Sequence, residues 1–113
     1  VNWAKSVLAV QSDVAKRKGY AAPDITPEEL VNLRLNTTHC FLCSDKISWS
    51  ADRRVFPHLD HNHRTGKVRG YVHAFCNVIS GNINLLHANV GRSGDIDITR
   101  NTIRQILLNW EPD

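Results

Sequence analysis

The sequence predicts an α+β fold: a small ββα core with helices on either side. Three observations predict it. Two β-prone runs, one from Val55 through Asp60 and one from Val68 to Val72, lie on either side of the turn residues Arg64-Thr65-Gly66-Lys67, which reads as a hairpin. His73-Ala74-Phe75-Cys76-Asn77 follows at once and can open a helix. Before and after this centre, apolar residues recur at helical spacing.

In chain order, Trp3, Val7, Val10 and Val14 form an apolar stripe over about residues 2–18, to be spent on core packing or a dimer contact. The stripe ends in Lys16-Arg17-Lys18, cations suited to a helix carboxy terminus, and Gly19 stops the helix. Ala22-Pro23-Asp24 reads as a linker. Thr26 then caps a second helix, with Pro27 at its first position and Glu29 completing a Thr-x-x-Glu capping box. Ile25 and Leu30 are placed as the hydrophobic staple; Leu30, Leu33 and Leu35 face inward, and the helix fades near Asn36.

Cys40-Phe41-Leu42-Cys43 sits in a turn-rich setting, and 44–54 reads as a loop or short hairpin around Ile47 and Trp49. From Val55 the pattern alternates, so Leu59 and Asp60 should point to opposite faces. Gly66 is free to take positive φ in the turn. The return strand places Val68, Gly70 and Val72 on one side and Arg69, Tyr71 and His73 on the other. The next helix starts near His73 or Ala74 and carries Phe75, Val78, Ile79 and Ile83, with Gly81 expected to kink or break it. Residues 89–95 form a polar loop. A last helix runs from about Ile98 to Trp110, capped by Asp97, with Ile103, Ile106, Leu107 and Trp110 on one face. Trp3, Trp49 and Trp110 read as core or interface anchors. The expected organisation is a helical region (1–38), a core (39–88) and a terminal loop and helix (89–113).

At 113 residues the chain has room for one modest core. Its net charge is +3, but the centre is more basic than that: Arg53, Arg54, Arg64, Lys67 and Arg69 face only Asp52 and Asp60. A polyanion partner is one reading and solvated surface charge the other. No apolar run approaches the roughly 20 residues needed to span a bilayer. A first residue of Val is compatible with a trimmed chain or a piece of something longer.

Cysteine usage points to metal. Three is an odd number, two of the three form Cys-x-x-Cys, and no secretory signal is in view. A tight Cys-x-x-Cys turn offers two thiolates to one tetrahedral ion. Cys76 supplies a third sulfur. His73, three residues earlier on a helical turn, shares its face and is the obvious fourth ligand; His39 is the competitor. A thioredoxin-like redox pair is the rival, but the strand-helix context it needs is absent.

Asp60-His61-Asn62-His63 is left over once that site is complete, and it suits phosphodiester hydrolysis. The reaction needs a base to activate water and a hard cation to neutralise charge at phosphorus and on the leaving oxygen. An imidazole, with an ordinary pKa of about 6.5, fits the base, which makes His61 the candidate. Asp60 offers a carboxylate oxygen and Asn77 an amide oxygen to Mg²⁺, which keeps few protein ligands and several waters. Arg64, Lys67 and Arg69 are candidates for phosphate contacts. His58 is a supporting neighbour and His87 a surface residue. A second structural zinc site or a non-catalytic DNA-binding module is the alternative.

Leu59-Asp60-His61-Asn62-His63, Gly66-Lys67-Val68-Arg69-Gly70 and His73-Ala74-Phe75-Cys76-Asn77 together resemble the recombination endonuclease VII family of His-Me finger (HNH-type) nucleases. The resemblance covers residues 40–81. It implies a zinc-clamped ββα-metal core flanked by helices, with zinc on Cys40, Cys43, His73 and Cys76. It implies Mg²⁺ (or Mn²⁺) on Asp60 and Asn77, His61 as general base, and His63 orienting or contacting the scissile phosphate. The products would carry 5′-phosphate and 3′-hydroxyl ends. Some members resolve four-way junctions as homodimers, while related nucleases are nicking, restriction or homing enzymes. DNA as partner and a phage or bacterial host cytoplasm follow from the same resemblance. The chain departs from the family in two places: His73 stands where Cys is frequent, and Asn62 where Asp is frequent.

Overall fold

The computed structural model describes residues 2–49, 56–90 and 94–113. Its elements are α1 (Asn2–Lys18), α2 (Pro27–Asn36), β1 (His58–His61), β2 (Val68–Val72), α3 (Ala74–Val90) and α4 (Ile96–Asn109). The two strands form one antiparallel sheet and α3 follows it, so the chain is α+β with the expected ββα order. Contacts divide it into two compact units, Val1–Asn77 and Val78–Asp113.

Local chemistry explains the helix ends in the first unit. Gly19 takes φ +72° past the end of α1, and the Gly19 and Tyr20 N–H groups turn back to the carbonyls of Lys16 and Ala15. This left-handed cap satisfies carbonyls that the helix leaves open. At α2 the Thr26 hydroxyl accepts from the Glu29 N–H (3.1 Å) while the Glu29 carboxylate accepts from the Thr26 N–H (2.9 Å). The reciprocal box is present as expected.

Leu30 and Val72 are fully buried, joined by Ala4, Cys40, Ile47, Leu59, Tyr71 and Cys76. Two of these eight residues are cysteines, so the core is small and leans on whatever holds the sulfurs. The α1 stripe does not enter it. Trp3, Val7 and Val10 are exposed, and α1 instead buries the small residues Ala4 and Ala15. Small side chains allow the close helix approach that a valine stripe would obstruct. Leu35, expected inward, is 75% exposed.

Arg34 explains what Trp3 and Trp49 do. Its guanidinium lies over both indole rings, 4.9 and 4.8 Å from their centroids, and 5.6 Å from the Phe56 ring. Trp49 also meets Tyr71 edge-on at 4.9 Å. A cation held over aromatic faces contributes about 0.5–2 kcal/mol, and here one cation joins α1, α2 and the chain entering β1.

The hairpin is less regular than its sequence. His58, Leu59 and Asp60 pair with Val72, Tyr71 and Gly70, and His61 then pairs with Val68, which leaves Arg69 unpaired as a bulge. A bulge re-aims its side chain, and the expected alternation along Val68–His73 is broken there. Gly66 takes φ +82° in the turn, and a Cβ on it would lie 2.4 Å from the Ala22 carbonyl oxygen. Gly66→Ala is therefore expected to cost at least about 1–3 kcal/mol from backbone strain alone, read as a lower denaturation midpoint at unchanged metal content.

In the second unit α3 runs unbroken through Gly81 to Val90. A helical glycine costs only about 1 kcal/mol relative to alanine, which a helix of 17 residues absorbs. Helix α4 starts at Ile96, two residues before the expected position, because Asp95 rather than Asp97 caps it, accepting the Asp97 N–H at 2.9 Å. His87, expected at the surface, is half-buried and bonded to the hydroxyl of buried Thr99. Val55 and residues 91–93, assigned above to a strand and a loop, lie outside the described residues, as do Asp52, Arg53 and Arg54.

Candidate metal centre and active site

Cys40 and Cys43 sit on a tight turn that α2 and β2 position. The Cys43 N–H points at the Cys40 sulfur (3.5 Å), the Ser44 N–H closes on the Cys40 carbonyl (3.0 Å), and the Phe41 N–H is bonded to Tyr71 on β2 (3.0 Å). His73 and Cys76 come from the start of α3. The ligand atoms of Cys40, Cys43, His73 and Cys76 all lie within 4.8 Å of one another. His73 Nδ1 is 3.3 Å from the Cys43 sulfur and 3.7 Å from the Cys76 sulfur. Tetrahedral zinc with bonds of about 2.3 Å to sulfur and about 2.05 Å to nitrogen needs S···N edges of about 3.6 Å.

The protonation pattern fits as well. His73 Nε2 faces the Lys46 carbonyl at 3.0 Å. A carbonyl only accepts, so Nε2 carries the proton and Nδ1 turns a lone pair toward the sulfurs, the usual way a second contact sets a ligating tautomer. Burial works against the Cys40 thiolate. The amide hydrogen bonds at Cys43, His73 and Leu42 outweigh it and bring Cys40 down to about 6. Burial, then the neighbouring Cys43 and Cys40 sulfurs, push Cys76 up to about 12. Three sulfurs this close resist a second negative charge and call for a cation to hold them ionised. The set fits zinc in number, type and spacing. His39 is elsewhere, its ring bonded to Thr38.

The second group lies on the hairpin. Asp60 is buried, and its Oδ2 receives Arg69 Nη1 at 3.1 Å. The bulge delivers Arg69 there, so the cation expected to meet a phosphate is spent on a neighbouring carboxylate. His58 and Asp60 are two apart on β1 and share a face. Asn77 on α3 meets His58, Nδ2 to Nδ1, at 3.2 Å, and among the described residues its amide oxygen has no hydrogen-bond partner. Arg64 and Lys67 are exposed at the turn.

His61 is buried at the end of β1, and its Nε2 faces the Ala21 carbonyl at 3.1 Å. By the same logic as at His73, Nε2 carries the proton and Nδ1, without a hydrogen-bond partner among the described residues, is the acceptor. The linker carrying Ala21 is itself fastened to the hairpin, through Ala21 N–H to His63 O (2.7 Å) and Asp24 N–H to Gly66 O (2.8 Å). The His63 ring stacks on Tyr20, centroids 4.1 Å apart and planes 10° from parallel, and meets His61 at 5.2 Å. Burial lowers the pKa of His63; the neighbouring His61 lowers it further, nearby Asp60 opposes this, and Arg69 and Lys18 act in the lowering direction.

Asn62 is a turn builder. Its side-chain oxygen accepts from the Arg64 and Thr65 N–H groups at 2.8 and 3.0 Å. An aspartate could make the same two bonds, so Asn or Asp at this position leaves the turn unchanged. Sequence reasoning passed over Tyr20, Ala21 and Lys46. Two of these act through main-chain oxygens, which no side-chain pattern signals.

A cleft of about 400 Å³ opens beside Asn77 and His58, walled by Trp3, Arg34, Phe56 and Tyr71. None of the described helices is long and apolar enough to cross a membrane.

No curated protein and no solved structure matches the chain significantly. A family model, recombination endonuclease VII, matches residues 16–106. That span takes in the linker, the sulfur-rich turn, the hairpin and most of both later helices. The chain therefore belongs to the recombination endonuclease VII family, a family of DNA endonucleases.

Proposed function

We propose that this endonuclease hydrolyses DNA phosphodiesters on a His-Me finger (HNH-type, ββα-metal) core, residues 39–88, with His61 as general base. The observation that carries this reading is the His61 contact with Ala21. With its proton held on Nε2 by a carbonyl, the imidazole presents an unprotonated Nδ1 that can take a proton from water. Asp60 and Asn77 supply the oxygen donors for Mg²⁺, or Mn²⁺ in its place. The Asn77 amide oxygen, which has no partner among the described residues, and the second Asp60 oxygen are donors that suit a hard cation. The chemistry such an ion supplies when bound is neutralisation of charge on the phosphate and the leaving oxygen.

Arg69 is paired with Asp60, so it reaches an incoming phosphate only where that pair opens. His63, held neutral, offers the phosphate one hydrogen bond rather than a charge. Arg64 and Lys67, exposed at the turn, steer the strand. Zinc on Cys40, Cys43, His73 and Cys76 clamps the turn to α3. The Arg69–Asp60 pair also favours a second reading, a zinc-stabilised DNA-binding module without chemistry, since it occupies an oxygen that a metal would use.

We further propose that the protein acts as a homodimer in a phage or bacterial host cytoplasm. Ile79 and Leu85 on α3, with Ile96, Leu107, Leu108 and Trp110 on or next to α4, are exposed in number beyond what a lone domain usually shows. A domain with three cysteines, none of them in a disulfide, suits a reducing compartment.

The test is cleavage of three DNAs of matched length, a linear duplex, a nicked duplex and a four-way junction, in Mg²⁺ and in Mn²⁺. Paired cuts confined to the junction would support a branched-DNA resolvase. Cuts in all three would make it a nicking nuclease, and a single duplex site would place it with restriction or homing enzymes. DNA retained by a zinc-loaded protein that cuts none of them would leave the binding module.

A further inference from the structure

We propose that Tyr20 is a positioning residue for His63: stacked flat on the imidazole, it fixes the plane of the ring and hence the direction in which His63 offers its hydrogen bond to the scissile phosphate. The role assigned to His63 is that of the preceding section, and this inference rests on it.

The geometry is specific. The two rings are 4.1 Å apart at their centroids and 10° from parallel, a close, near-parallel stack. Tyr20 is placed from both sides by main-chain bonds. Its own N–H closes the α1 cap on the Ala15 carbonyl at 2.8 Å, and the next residue donates to the His63 carbonyl at 2.7 Å. Gly19, in the left-handed conformation, makes the sharp exit from α1 that aims the tyrosine at the hairpin. The side chain is thus delivered to the ring by the backbone on either side of it.

His63 needs such a partner. It is exposed at the rim of the hairpin, and among the described residues its ring makes no hydrogen bond. Its ring contacts are the Tyr20 face and the edge of His61 at 5.2 Å. Without the stack, χ2 of His63 would be free to rotate through a broad well. A hydrogen bond to phosphate weakens steeply as its angle leaves linearity. His61 needs no such help, because the Ala21 carbonyl holds it. One linker therefore serves two histidines by different means, a carbonyl for the first and an aromatic face for the second. Tyr20 is 41% exposed, so its removal leaves no enclosed cavity.

The experiment is a double-mutant cycle. Tyr20→Phe, Tyr20→Ala, His63→Ala and Tyr20→Ala/His63→Ala are compared for kcat and KM on whichever DNA the wild type cuts, with zinc content and Tm measured alongside. Tyr20→Phe keeps the stack and should stay within about 2-fold of wild type. Tyr20→Ala should lower kcat by about 10- to 100-fold, as a misaimed group does, with KM nearly unchanged. In the His63→Ala background Tyr20→Ala should cost nothing further, because the ring it positions is gone. The His63 ring proton resonances should move in Tyr20→Ala and stay put in Tyr20→Phe. An equal loss in both backgrounds, or ring resonances unmoved by Tyr20→Ala, would overturn the positioning role. If the wild type cuts no DNA at all, the nuclease reading falls and this inference with it; an active wild type with additive losses removes this inference alone.

Discussion

Replacing His61 by alanine is expected to slow DNA cleavage by about 10²–10⁴-fold, the range that a positioned general base supplies. Zinc content and DNA affinity should be nearly unchanged. The expectation rests on the buried imidazole at the end of β1, whose proton sits on the nitrogen facing Ala21 and whose other nitrogen is open. Alanine would also strip the Ala21 carbonyl of its donor, at a cost of about 1–3 kcal/mol if the group stays buried. His61→Gln keeps an N–H to give and separates a lost base from a loosened linker. A cleavage rate in either variant equal to wild type would remove His61 from the chemistry. A loss seen only together with a fall in Tm would assign it to the fold.

Removal of the metal should have the larger effect on the molecule as a whole. Zinc bound to a set of this kind contributes apparent free energies of about 10–16 kcal/mol near neutral pH, against the 5–15 kcal/mol or so that separates most folded domains from their unfolded chains. Cys40 and Cys76 are part of the core itself, among its eight buried residues. Stripping the ion leaves three sulfurs to mutual repulsion, two of them (Cys40 and Cys76) buried and the third (Cys43) exposed. One zinc per chain is expected by elemental analysis. A strong chelator, or Cys40→Ser, should abolish the cooperative thermal transition of that unit. Cobalt in place of zinc should show the visible bands of a tetrahedral sulfur-nitrogen site. A metal-free protein with the same Tm would mean that the four residues merely cluster.

Side-chain chemistry made much of this visible before any coordinates. The Thr26–Glu29 box, the Gly66 turn and the four ligands depend on residue type at short spacing, and each stands where the pattern placed it. Patterns that depend on tertiary packing did not transfer. Apolar residues at helical spacing on α1 remain exposed while Ala4 and Ala15 are buried, because close helix packing selects for small volume rather than hydrophobicity alone. The strand alternation missed the bulge at Arg69, since one extra residue in a ladder leaves no mark in composition. Arg69 itself was legible as a cation, but not its pairing with Asp60. Among the residues around the hairpin, those that could be named were the ones acting through a side chain.

The linker illustrates the remainder. Between Gly19 and Ile25 it is tied down at the N–H groups of Tyr20, Ala21 and Asp24, and it gives one carbonyl to His61. Of these four ties, none uses a side-chain atom of the linker. Ala21 and Asp24 can therefore change identity at little cost, whereas adding or deleting a single residue would throw every tie out of register at once. Tyr20 apart, divergence along this stretch should accumulate as substitutions and almost never as gaps, so that its length, more than the other letters in it, carries the information the active site needs.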